Sequence, residues 1–220
     1  MIKTLAVCSC AALFAGCALP TLDQGAINAL QGKTVVRVVP PTPRMAMTTP
    51  AAAAVLGFGL VGGATAAASG AKPGGVSPLD LPDPSLAIAA KLAKQLDQRY
   101  GTRTVDPVIN QPISGFPELV RLAQPLAEYS LEVSTFNMNM AYYLTEPSRY
   151  RILFTTVANL IDNKTQKSVA TGVCVHQPAD TTVAATYDEM LANNGERAKH
   201  DLAAGAEFCA QQLQQDMLSK

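Results

Sequence analysis

The chain has no tryptophan and only two histidines, His176 and His200, in 220 residues. Charged residues make up 15% of it, and Lys+Arg and Asp+Glu both number 17, so the formal net charge is zero. Without a positive field, a basic run or aromatic–basic interleaving, nothing in the composition recruits nucleic acid. The shortage of histidine narrows catalysis as well. A hydrolase nucleophile needs a base, and no serine sits in a G-x-S-x-G turn. His176 closes a predicted strand and reads as structural, while His200, in E196-R-A-K-H-D201, reads as solvated. Glu128 with Glu132, and Asp188 with Glu189, are carboxylate pairs of the kind a peptidoglycan hydrolase would need. Nothing beside them raises a pKa, and the chain is poor in the aromatics that line a sugar cleft.

The N-terminus carries the clearest signal. One lysine, Lys3, precedes an uncharged apolar run that ends in small residues, which is a secretory signal peptide too short to span a bilayer. Its end, L13-F-A-G-C17, resembles the lipobox of bacterial lipoproteins. Phe14 stands where that family usually has leucine, and Leu13 lies one place early. The resemblance implies removal of residues 1–16 and lipidation of Cys17, with palmitate among the acyl chains. Ala18 rather than aspartate follows the cysteine, which in that family implies the outer membrane. Acyl chains anchor without a transmembrane helix.

Cysteine usage follows from that reading. Cys8 and Cys10 leave with the signal, Cys17 carries lipid, and Cys174 and Cys209 remain in an oxidising compartment, where a disulfide is expected. The rival is a zinc site built from Cys174, His176, His200 and Cys209. On a helix, His200 and Cys209 are about 900° and about 13 Å apart and cannot share one ion. No metal and no cofactor is expected.

Gly57, Gly59 and Gly62 have the G-x-G-x-x-G spacing of a dinucleotide-binding turn. The alanines before them are poor strand formers, and no full helix fits between Gly62 and K72-P-G-G75, so no βαβ unit can hold NAD. Gly59, Gly63, Ala67 and Ala71 form instead a small-residue ladder in a stretch, 51–71, without charge. Such a ladder suits close helix packing or entry into a bilayer.

Local patterns outline the rest. Residues 17–32 read as a tether, and 33–220 as a single domain. K33-T-V-V-R-V-V39 is a strand. Asp83-Pro84 opens a helix whose Ile88, Leu92, Leu96 and Tyr100 share a stripe and which Gly101 ends. A short helix is expected over E118-L-V-R-L-A123. In A127–S134, Tyr129, Leu131 and Val133 form a dry face and Ser130, Glu132 and Ser134 a wet one. Phe136, Met138, Met140 and Tyr142 alternate onto one face, either as core or as a surface for a partner. R149–I161 is apolar on both faces and pairs through D162-N-K-T-Q166 with K167–H176. A long helical region from Thr182 to Leu218 turns Cys209 toward the core. The sum is an α+β fold with a mostly antiparallel sheet of about four strands and helices on one face.

The run Y150–C174, Y187-D-E-M-L-A192 and a closing helix bearing Cys209 resemble a group of proteobacterial outer-membrane lipoproteins without an assigned chemistry. In layout the domain is loosely similar to penicillin-binding-protein activator and curli-secretion lipoproteins. The resemblance implies a periplasm-facing, lipid-anchored and non-catalytic binding or assembly module with a protein partner in the envelope. The alternatives are an oligomerising, membrane-inserting pore or secretion subunit acting through 51–71, and a peptidoglycan hydrolase.

Overall fold

A computed structural model describes residues 20–49 and 75–218. The expected signal peptide and lipidation site, Cys17, and the ladder of Gly59, Gly63, Ala67 and Ala71 lie outside the described residues. The described elements run α1 (Gln24–Leu30), β1 (Thr34–Val38), β2 (Ala46–Thr48), β3 (Gly75–Val76), α2 (Pro84–Tyr100), β4 (Arg103–Ile109), α3 (Phe116–Ala123), β5 (Tyr129–Tyr142), β6 (Arg149–Asp162), β7 (Lys167–His176), β8 (Ala185–Thr186) and α4 (Tyr187–Leu218).

Local chemistry sets the ends of α2. The Asp83 carboxylate accepts from the Ser85 amide at 2.8 Å and from the Thr42 hydroxyl at 2.6 Å. Gly101 closes the helix in the left-handed region, φ 65°. Ile88, Leu92 and Leu96 are fully buried, and each contributes about 1.5–3 kcal/mol. At α4 the Thr186 and Glu189 side chains satisfy each other's backbone amides, a capping box. Asn193, Asn194 and Gly195 then take positive φ, and the helix is broken before Glu196.

Among the described residues the sheet has eight strands and is mixed, which corrects the expected four-stranded, mostly antiparallel one. β5 and β6 pair antiparallel over most of their length, and β6 continues to β7 and β8. On the other edge of β5, β1 and β2 both run parallel to it, and β1 is parallel to β4. Parallel pairs need crossover connections, and α2 and α3 lie in those connections. β4 contains Pro107, which is tolerated because β4 ends the sheet order.

Helices cover both faces rather than one. α2 and α4 close the large inner cluster, built on Leu131, Met140, Ile152, Phe154 and Leu160. α3 closes a smaller cluster on the outer face, with Val36, Val38, Leu119, Val120, Ala123 and Ile161. That second cluster explains why Ser130, expected on a wet face, is fully buried: its hydroxyl donates to Asn163 Oδ1 at 2.7 Å. Residues 20–32 are likewise no free tether. Asp23 caps α1, while Leu22 and Leu30 enter the inner core, so the amphipathic spacing of this segment binds it to the domain.

Candidate functional site

Alternation along β7 points Ala170, Gly172 and Cys174 inward, and the stripe of α4 places Cys209 against them. The two cysteines are bonded, with S–S 2.02 Å and Cα–Cα 5.4 Å, and both are fully buried. Sulfurs committed to each other cannot serve as zinc ligands. His200 stands apart from them, 77% exposed beside Asp201.

Two residues beyond the disulfide, His176 lies between Phe154 and Phe208, with ring centroids 5.0 and 5.8 Å away. Burial pushes its imidazole below the ordinary value, and Asp201 pulls in the opposite direction. His176 borders a cleft of about 150 Å³ where β6, the 177–184 loop and α4 meet. β7 leaves β6 after the Phe154–His176 pair and β8 rejoins at Tyr150–Ala185, so the cleft fills the gap in the edge. Arg151 occupies that gap. Its guanidinium stands 4.5 Å over the Tyr143 ring and donates to the Pro178 carbonyl at 2.6 Å. Its Nε is buried and finds no partner among the described residues. Arg197 donates to Asp201 at 2.8 Å and to the Val183 carbonyl. Val183 on the same cleft is 66% exposed, and Leu144, next to Tyr143 in the chain, is 83% exposed. The signal for this cleft in the sequence was R149-Y-R151, a basic side chain inside an otherwise apolar strand.

The Phe136 group divides. Asn137 takes φ 53°, and the pairing register of β5 and β6 shifts between Phe136 and Asn139. This bulge reverses the facing of the strand residues beyond it. Met138 and Met140 enter the inner core with Tyr142 packed against it, and Phe136 faces outward at 47% exposure. The four residues therefore do not share a face. Phe136 belongs to an outer sheet surface with Leu153, Val157, Val173 and Val175.

Three of the four paired carboxylates, Glu128, Glu132 and Glu189, serve structure. Glu128 binds the Lys33 ammonium at 2.7 Å and accepts from the Thr34 amide. The Lys33 hydrogen bond holds its carboxyl below the usual range, and the Thr186 amide does the same to Glu189. A general acid needs the opposite shift. Glu132 accepts from Asn159. Among the described residues no helix is long and apolar enough to cross a membrane.

No family model and no curated protein matches the chain. Solved structures similar to it include a PelC dodecamer from Paraburkholderia phytofirmans, 12% identical over 92% of this chain and 94% of that one, TM-score 0.34. Protein XCC0632 from Xanthomonas campestris is 12% identical over 90% and 88%, TM-score 0.33. Lipoprotein GNA1162 from Neisseria meningitidis is 13% identical over 66% and 88%, TM-score 0.25. At such TM-scores these likenesses carry neither fold nor function over to this chain.

Proposed function

We propose that this chain is a lipid-anchored protein of the bacterial outer membrane whose periplasmic domain is a binding module rather than an enzyme. The lipobox at Cys17 and the Cys174–Cys209 bond support an exported, envelope location. The observation that carries the binding role is the cleft rim. Arginine concentrates interface energy, and here Arg151, stacked on the buried Tyr143, and Arg197 line one cleft with the exposed apolar Val183, while the exposed Leu144 follows Tyr143 directly in the chain. The carboxylates of Glu118, Glu128, Asp180 and Glu189 meanwhile are held below the usual range by hydrogen bonds that fix the fold. The partner this rim fits is another envelope protein.

Two measurements test the proposal. Palmitate labelling is expected to disappear in Cys17→Ser, and labelling that persists would overturn the anchor. A photo-crosslinking residue at Val183 in intact cells is expected to capture one protein, and capture is expected to fail when Leu144→Asp is added. Capture unaffected by Leu144→Asp would remove the rim from the binding surface.

A further inference from the structure

We infer that the half of the outer sheet face over β5, β6 and β7 that the described residues leave uncovered is the surface on which the domain rests against lipid. This inference builds on the lipid-anchor reading and adds which side of the domain meets the bilayer.

The first observation is how little slack the anchor has. The Pro20 carbonyl accepts from the Thr171 amide at 2.7 Å, on the β7 edge that β6 does not use. Two residues later the Leu22 amide donates to the Met217 carbonyl at 3.4 Å, and the Leu22 side chain is 2% exposed. The chain is therefore fastened to the domain from Pro20 onward. Only Ala18 and Leu19 separate Pro20 from Cys17, so a lipidated Cys17 reaches at most about 11 Å from Pro20. Strands lie about 4.8 Å apart, so β5 is about 10 Å from β7 across the face. Anchor and face are adjacent on that scale.

The chemistry of the face is the second observation. Register sets Phe136, Thr155 and Val175 in one row, and Ser134, Val157 and Val173 in the next. Neither row holds an ionisable group. Phe136 and Val175 are 47% and 55% exposed, and the cluster beneath α3 stops at Ile161. Charge appears only at the two ends, where Asn159 holds Glu132 and the Pro178 carbonyl holds Arg151. An uncharged, partly apolar plane can lie on the headgroup–acyl boundary without desolvating an ion, and apolar contact adds to the acyl anchor. A second protein seated on this plane would have to enter between it and a bilayer that the anchor holds close. Arg151 of the cleft rim lies four residues, about 13 Å of strand, beyond Thr155 along β6, past the uncharged rows.

The lack of native tryptophan makes a direct test available. Phe136→Trp, Val175→Trp and Leu86→Trp, the last on the exposed side of α2, give single-tryptophan reporters. Each would be prepared as the mature lipidated protein in phosphatidylethanolamine–phosphatidylglycerol vesicles, with and without brominated acyl chains. Phe136→Trp and Val175→Trp are expected to lose most of their emission to bromine, and Leu86→Trp to keep its own. Protein that floats with the vesicles but shows no quenching at Phe136→Trp or Val175→Trp overturns the resting face and leaves the anchor standing. A concentration-dependent blue shift of Phe136→Trp without lipid, together with no quenching, assigns the face to a second copy and also overturns it. Protein that carries no lipid and fails to float overturns the anchor and this inference together.

Discussion

Gly205 of α4 lies against the ring of His176: a Cβ built on the glycine would stand 2.7 Å from His176 Cδ2 and Nε2, and 2.9 Å from Phe154 Cε1. The absence of a side chain there is what lets the helix approach β7 where the disulfide joins them. Two effects of Gly205→Ala oppose each other. Helix propensity favours alanine by about 1 kcal/mol, while overpacking costs about 1–3 kcal/mol. The neighbours are rigid rings rather than flexible chain ends, so overpacking wins. Gly205→Ala is expected to lose about 1 kcal/mol in urea unfolding, and a gain in stability would show that the rings yield.

The bond between Cys174 and Cys209 spans a sequence separation of 35. Closing a loop of that size restricts the unfolded chain by about 4 kcal/mol in the loop-entropy description. Both sulfurs are buried, so the folded, unreduced protein is expected to resist alkylation at these positions. Reduction, or the Cys174→Ala/Cys209→Ala pair, is expected to lower the unfolding free energy by roughly that amount. Ready alkylation of both cysteines without reductant would rule the bond out.

His176 adds a pH dependence. Burial lowers its folded pKa below the ordinary value of 6.5, so the unfolded chain takes up a proton that the folded one refuses. Stability is therefore complete above the unfolded value and is lost as pH falls through the depressed folded value. Glu118, Glu128, Asp180 and Glu189 have lowered carboxyl pKa values, so their contribution fades only at lower pH, below the ordinary carboxylate range. Thermal midpoints measured from neutral to mildly acidic pH are expected to fall, and His176→Gln is expected to flatten that limb. An unchanged limb in His176→Gln would assign the slope to another group.

Contacts between neighbours in sequence were the ones legible in advance. Asp83, Pro84 and Gly101 delimit α2 through contacts within one turn, and the β6–β7 pair arises from two β-rich runs around a polar turn. Pairing between distant segments could not be read this way. The parallel alignment of β1 with β4 and β5 depends on where α2 and α3 return the chain. Ser130 looked solvent-facing because its partner, Asn163, comes from the turn after β6. Leu22 and Leu30 looked like tether because the short segment around α1 carries only a few apolar positions, and their burial depends on a core assembled from distant elements, with the Leu22 amide bonded to the Met217 carbonyl of α4. The cleft shares this non-local character: Tyr143, Arg151, His176 and Arg197 come from separate elements.

The bulge at Asn137 was hidden for a different reason. Strict alternation put Phe136, Met138, Met140 and Tyr142 on one face, and a single left-handed residue reversed it. Asparagine tolerates φ 53°, whereas a β-branched side chain there costs about 1–3 kcal/mol. Asn137→Val is expected to lose stability in that range and Asn137→Gly to keep it. The two faces then separate by truncation. Met140 is fully buried, and Met140→Ala is expected to cost about 2–5 kcal/mol. Phe136 is half exposed, and Phe136→Ala is expected to cost within about 0.5 kcal/mol. Urea unfolding of the four variants checks the pattern. Equal costs at Met140 and Phe136 would mean that both side chains face the core, and Asn137→Val as stable as the parent would mean that the strand runs through without a bulge.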